Sequence, residues 1–235
     1  WEPRRIVPSY AVPEEDVAAE LVPVEGSRTA ERSVAVGDQE AMLDPRSPFA
    51  EHTTPGTPLT VRTRSGDLVD AAFRPDDADL GGYVVLDWDA FTTWYEEDAV
   101  VVAHPHDPFQ RIDCLPSSRH VEIALDGVTL ADTTRATLLY ETSLPTRYYI
   151  PAEDVAMELL VPTETHTLCA YKGKASYWSA RVGDTLVPDI AWSYPEPLND
   201  AVPVRGLVAF FTERLDLTVD GQRHERPRTP WSSAS

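Results

Sequence analysis

The chain contains one pattern twice. Tyr10 opens the stretch YAVPEEDVAAELVP, and Tyr148 opens YYIPAEDVAMELLVP. Pro13 matches Pro151, Glu15 matches Glu153, Asp16 matches Asp154, Val17 matches Val155, Glu20 matches Glu158 and Leu21 matches Leu159. Upstream, WEPRRIVPSY from Trp1 resembles YETSLPTRYY from Tyr140. Downstream, SGDLVDAAFRP from Ser65 resembles VGDTLVPDIAWSYP from Val182, and WYEEDAVVV from Trp94 takes the place of FFTERLDLTV from Phe210. Blocks kept in order at this spacing predict two tandem copies of one module. The first, degenerate copy covers 1–110 and the second, complete copy covers 111–235. The join lies near AHPHDPFQRIDCLPSS, whose prolines read as a connector. Nothing ahead of Trp1 answers to RHVEIALDGVTLADTTRATLL (119–139). Either those strands precede Trp1 or the first copy lacks them.

The second copy reads as mostly strand. Val121, Ile123 and Leu125 alternate, Asp126-Gly127 follows, and Val128 and Leu130 resume. An Asp-Gly pair between alternating runs predicts a two-residue hairpin, because its turn needs positive φ at both central positions. LDLTVDGQ predicts another. Alternating Val155, Met157, Leu159 and Val161 predict a turn at PAEDV and then a strand. The first copy adds one helix, DWDAFTTWYEED, with Trp88, Phe91 and Tyr95 on one face and an aspartate capping its start.

The net charge is −19, concentrated before Asp113. This excludes a nucleic-acid backbone and an anionic membrane surface as partners, since both need clustered Lys and Arg. No apolar run is long enough to span a bilayer. Two cysteines, Cys114 and Cys169, make neither a disulfide framework nor a four-cysteine zinc site. They fit a reducing cytoplasm. No metal and no cofactor is expected.

The stretch HVEIALDGVTLADTTRATLLYETSLPTRYYIPAEDVAMELL, followed by CAYKGKASYWS and DIAWSYPEP, resembles the bacterial domain of unknown function 427 family. DWDAFTTWYEEDAVVVAHPHDPF resembles the first copy of its tandem form. The resemblance implies a mainly β fold: two tandem β-tent-like modules, each of antiparallel sheets pitched against each other. Methionine sulfoxide reductase B and the drug-binding domain of cereblon share that fold. Several such proteins pin the sheets with a four-cysteine zinc. Here no paired CxxC exists, so packing must replace it. The family is also labelled nucleotidyltransferase-like. No Gly-Ser with a following Asp-x-Asp supports that label, and DWD at Asp87–Asp89 fits a helix start better.

THTLCAYKGKASYWS, from Thr165, concentrates reactive side chains. Lys172-Gly173-Lys174 lies between two strand-like runs, where glycine permits a tight turn. Cys169 and Tyr171 share a face. A three-residue loop centred on Gly173 sets Cys169 opposite Tyr177. A two-residue loop at Lys172-Gly173 brings Ser176 and Trp178 to that face instead. The chain has 18 arginines and only these two lysines, Lys172 and Lys174. Two adjacent ammoniums repel unless an anion sits between them, so they read either as an anion or carbonyl contact, or as solvated residues at a loop tip. Cys169 reads as a nucleophile or as a structural thiol, and His166, three residues back, points away from it. Trp192 and Tyr194 share a face and, with Tyr177 or Trp178, make either a ligand-stacking wall or sheet-to-sheet core. Glu141, Arg147 and Arg135 line a pocket or form ion pairs in place of a metal. His104 and His106 are spaced to face one metal, but their prolines and position read as linker.

Three functions follow. The first is a non-catalytic small-molecule-binding module, whose ligand-binding residues are Arg147, Cys169, Tyr171, Lys172, Tyr177, Trp178, Trp192 and Tyr194. The second is an enzyme using Lys172 or Cys169 on a carbonyl or oxidised substrate. The third is an acidic scaffold whose Glu96, Glu97 and Asp98 meet a basic protein. The sequence sets no oligomeric state.

Overall fold

The structure, a computed structural model, describes residues 7–24, 28–29, 33–34, 42–43, 48–52, 54–107 and 109–232. The upstream repeat block beginning at Trp1 lies, as far as Ile6, outside them. The chain divides into two compact units, Trp1–Pro105 and His106–Ser235.

In the first unit, β1 (Ala11–Pro13), β2 (Glu20–Pro23), β3 (Gly56–Thr63), β4 (Gly66–Pro75) and β5 (Tyr83–Leu86) form one antiparallel sheet in the order β1-β5-β4-β3-β2. A separate hairpin joins β6 (Trp94–Glu96) to β7 (Ala99–Val101). Leu59, Val61, Ala71, Ala72 and Val84 make the core.

The second unit has three antiparallel sheets. One joins β8 (Ile112–Pro116), β11 (Thr137–Glu141) and β12 (Arg147–Tyr149). Another orders β9 (Val121–Leu125), β10 (Val128–Thr133), β17 (Asp216–Val219) and β18 (Gln222–His224) as β10-β9-β17-β18. The third runs β13 (Leu160–Cys169), β14 (Gly173–Val182), β15 (Thr185–Ser193) and β16 (Ala209–Phe210). The alternation of Val121, Ile123 and Leu125 buries those three side chains, as a half-buried strand requires. Asp126 and Gly127 both take positive φ, and so do Asp220 and Gly221, which makes both Asp-Gly turns the two-residue type expected. The fold is mainly β, built of antiparallel sheets, as the sequence implies.

Two local expectations fail. DWDAFTTWYEED is not a helix. Asp87 does cap a turn, accepting from Asp89 N at 3.1 Å, but the turn is a 3-10 segment ending at Ala90. Trp94 then stacks on Trp88 at 5.2 Å and enters β6 opposite Val101. Strand pairing and ring stacking outweigh a weak helical period. The strand expected from Val155 also starts late. A second 3-10 turn, Met157–Leu159, intervenes, and β13 begins at Leu160.

The units share a sheet order. In the second unit, an isolated bridge of Ile150 to Val208 adds β12's continuation beside β16, just as Val12 pairs with Val84 in the first. Leu21 pairs with Val61, and Leu160 with Ala180. Pro23 pairs with Leu59, and Pro162 with Trp178. Leu21 and Leu160 thus hold similar places in their sheets, and the second unit has a further 3-10 turn, Met157–Leu159, just ahead of Leu160. Each sheet also carries the same irregularity. The register of β3 on β4 jumps between Leu59 and Val61, and that of β14 on β15 between Trp178 and Ala180. At each jump an aspartate, Asp70 or Asp189, takes positive φ, a conformation aspartate tolerates better than most residues. The hairpin at Trp94 resembles the Asp216–His224 hairpin in its turn. Glu97 and Asp220 hold the same positive φ at the two turns.

No helix among the described residues is long and apolar enough to cross a membrane.

Candidate functional site

The β13–β14 hairpin takes neither expected register. Cys169 pairs with Gly173, so the loop is Ala170-Tyr171-Lys172, with Tyr171 at its centre. Gly173 has φ of 92° and bridges Pro197. A Cβ there would stand 3.3 Å from the Glu196 carbonyl oxygen, so both backbone conformation and space favour glycine. Residues paired across strands share a face. Cys169, Thr167, Tyr177 and Trp192 therefore lie on one face. Trp178 pairs with Ala191 and lies on the other, with His166 and Lys174. Trp178 thus cannot stand beside Trp192 in one wall.

The two lysines separate. Lys174 is exposed, while Lys172 is buried and donates from Nζ to Glu141 Oε2 at 2.5 Å. Gln110 adds a bond to the other carboxylate oxygen at 3.2 Å. The loop-tip reading is therefore corrected for Lys172: its charge is already matched. Arg147 is likewise committed. Its guanidinium makes a two-pronged bond to Glu213 at 2.7 Å on each arm and packs against Trp192, Phe211 and Trp231. Thr229 donates to the same carboxylate at 2.7 Å. Burial pushes the Glu213 carboxyl up, but the bonds and charge of Arg147 outweigh it and hold the group below its ordinary 4.5. Arg135, itself exposed, goes to a third partner, the half-buried Asp154. Glu141, Arg147 and Arg135 thus serve three separate ion pairs.

Around these pairs stands a cluster of phenols. Trp192 Nε1 donates to the Tyr149 hydroxyl at 3.1 Å, and Trp192 packs on Phe211 with centroids 4.5 Å apart. Tyr177 exchanges a bond with Thr167 at 2.8 Å. The Tyr171 hydroxyl accepts from Asp107 N at 2.7 Å. His106 stacks on Tyr171 and bonds to the Ala170 carbonyl at 2.8 Å, while His104 bonds to Pro105, so the two histidines do not converge. Among the described residues no group of three or more His, Cys, Asp or Glu is placed to hold a metal.

Tyr194 differs from its neighbours. It is 5 % exposed, and its hydroxyl makes no hydrogen bond among the described residues. Burial pushes its pKa far up, reinforced by the proximity of Tyr149, Cys169, Tyr177 and Glu141. Cys169 is a free, half-buried thiol, as is Cys114. Burial raises the Cys114 thiol while the charge of Lys172 draws it down.

The sequence brings Cys169, Tyr171, Tyr177, Trp192 and Tyr194 to this region, with Arg147 and Lys172 at its edge. It does not reveal Tyr149 or Glu213. Tyr149 sits on a neighbouring strand and Glu213 beyond the third sheet, and no local spacing links either to Trp192 or Arg147.

The unit carrying this site is an all-β domain of three antiparallel sheets. The family model described as Domain of unknown function (DUF427) matches residues 113–221, from β8 through the turn after β17. That match is confined to the second unit, which is similar to the DUF427 family over those residues. None of the curated proteins compared with the chain matches it.

Proposed function

We propose that the second unit is a small-molecule-binding module, with Tyr194 at the centre of its site. The carrying observation is that Tyr194, 5 % exposed as a residue, has a hydroxyl with no hydrogen-bond partner among the described residues. The hydroxyl oxygen is not one of the fully buried unpartnered atoms, so a small ligand that brings an acceptor can pair with it. Tyr149, whose oxygen already accepts from Trp192, keeps its own O–H to donate. Cys169, Tyr177 and Trp192 share the sheet face on which Tyr194 follows, and Trp192 offers a flat ring there. Because Glu141 and Glu213 already match Lys172 and Arg147, an uncharged carbonyl-bearing ligand suits the site better than an anion.

The shared pairings and paired aspartate irregularities also support reading the chain as two copies of one module. The first, degenerate copy has no Cys-x-Tyr-Lys-Gly and carries Phe73 where the second has Trp192. The site belongs to the second copy alone.

The test is a thermal-shift screen of neutral carbonyl compounds. A ligand at a hundred times its Kd should add about 2.7 kcal/mol of stability. Tyr194→Phe should leave the free protein as stable as before or slightly more so, and should remove most of the ligand's gain. Trp192→Ala should also remove it. A ligand whose gain survives Tyr194→Phe, or a free Tyr194→Phe protein clearly weakened, would sink the reading. The enzyme alternative requires Lys172 to leave Glu141 before it can react.

A further inference from the structure

The first unit has an open groove of about 420 Å³, lined by Val12, Asp16, Val17, Ala18, Leu86 and Phe91 among others. Strand pairing gives these positions counterparts in the second unit: Val12 answers to Ile150, Val17 to Val155 and Leu86 to Phe210. The counterparts are 0, 7 and 1 % exposed, whereas Val12, Val17 and Leu86 are only half-buried. The β9–β10 hairpin makes the difference. In the second unit Ala131 bridges Val155, the Leu130 carbonyl accepts from Ala156 N at 2.8 Å, and β9 pairs along β17. Thr133 and Arg135 then hold the Asp154 carboxylate, at 2.6 Å and 2.7 Å.

Each of these contacts has an unanswered partner in the first unit. Asp16, the counterpart of Asp154, makes no hydrogen bond or ion pair among the described residues, and Ala18 N has no acceptor among them. Among the described residues strand β6, the counterpart of β17, pairs with β7 alone, and Tyr95 on it is 62 % exposed. An apolar groove, a bare strand edge and an unmatched carboxylate therefore lie where the second unit holds a hairpin, its ladder and its arginine.

We infer that this groove is the seat of a β-hairpin of the Val121–Thr133 type, followed by a basic residue that meets Asp16. In the second unit such a hairpin directly precedes the Tyr140 block that Trp1–Tyr10 resembles, which makes a covalent graft at Trp1 the natural probe of the seat. A lone hairpin is marginally stable in water. A covalent link supplies the effective concentration that a separate one lacks. This inference rests on the two-copy reading and is independent of the Tyr194 site.

The experiment grafts a second copy of residues 119–139 ahead of Trp1 in the full chain and follows amide hydrogen exchange. Exchange at Ala18 and along Trp94–Glu96 should slow about tenfold or more, as for amides entering a ladder. Changing the copied Ile123 to Asp, or Asp16→Arg in the grafted chain, should reverse most of that protection. Unchanged exchange in a folded grafted chain overturns the inference. Equal protection from micromolar free peptide of residues 119–135 would support the seat and show that it takes the hairpin without a covalent link. A check needs no graft. An open seat tolerates a charge, so Val17→Asp should move the melting point of the ungrafted protein by less than about 2 °C, and Val155→Asp by more than about 8 °C. Equal large losses would mean the groove is already closed.

Discussion

Single residues carry the interior chemistry of the second unit through complete partnerships, and this governs how substitutions should be read. Lys172→Met leaves Glu141 buried without its cation, which costs about 3–5 kcal/mol. Loss of activity or binding in that variant would therefore report unfolding as readily as chemistry. Lys172→Met combined with Glu141→Leu should recover most of the loss, and chemical denaturation of the three proteins checks it. Asp189 is a second such point. Its carboxylate accepts from Thr163 and Thr165 at 2.8 Å each while its backbone holds a positive φ. Asp189→Ala loses both bonds and the residue type that tolerates the conformation, with an expected destabilisation of about 2–4 kcal/mol. Asp70→Ala, at the counterpart irregularity in the first unit, should cost less, because none of the described hydrogen bonds holds the Asp70 side chain.

Elements were legible in proportion to how local their signals are. Both Asp-Gly hairpins and the alternation of β9 rest on adjacent residues, and both were readable. The β13–β14 turn was not. Its register is set by Pro197 and Leu198, which bond to the far side of the loop at Gly173 and Lys172, and by the Lys172–Glu141 pair. Those contacts lie tens of residues away in sequence. The helical period of Trp88, Phe91 and Tyr95 misled for a related reason: Trp94 finds a better partner in Trp88 than a helix would give it. Of the site, the aromatic and thiol residues of one strand pair were readable. Their matched carboxylates were not, because charge pairing across sheets leaves no pattern in either strand. Gly173→Ala should destabilise the hairpin by about 1–3 kcal/mol through strain at positive φ. Thermal melting against a Gly183→Ala control, whose added Cβ meets nothing within 4 Å, separates local crowding from φ strain.

At the scale of the whole molecule, charge dominates. The chain is strongly acidic, at −19, and several carboxylates spend their charge on specific arginines. Glu213, Asp154, Asp216 and Asp220 all sit below their ordinary values in the folded protein. A folded value below the unfolded one gives stability that is complete above the unfolded value. That stability is lost as pH falls through the folded value. Unfolding free energy is therefore expected to hold level from neutral pH to about 5 and then drop steeply below 4. Urea titrations across that range check the sign, and Glu213→Gln should flatten the acid limb while lowering the plateau. Rising stability on acidification to pH 4, as relief of net repulsion alone would produce, would contradict this account.

The near-parallel rings of Trp88 and Trp94, 8° apart in plane, lie wholly within the first unit. Indoles this close share their electronic excitation, so the pair should produce a signed couplet in circular dichroism that vanishes when the rings part. Trp178, Trp192 and Trp231 belong to the second unit, and no stack between indoles is described there. The molecule thus carries a built-in optical label on one half, and a wavelength scan during heating can tell which half melts first.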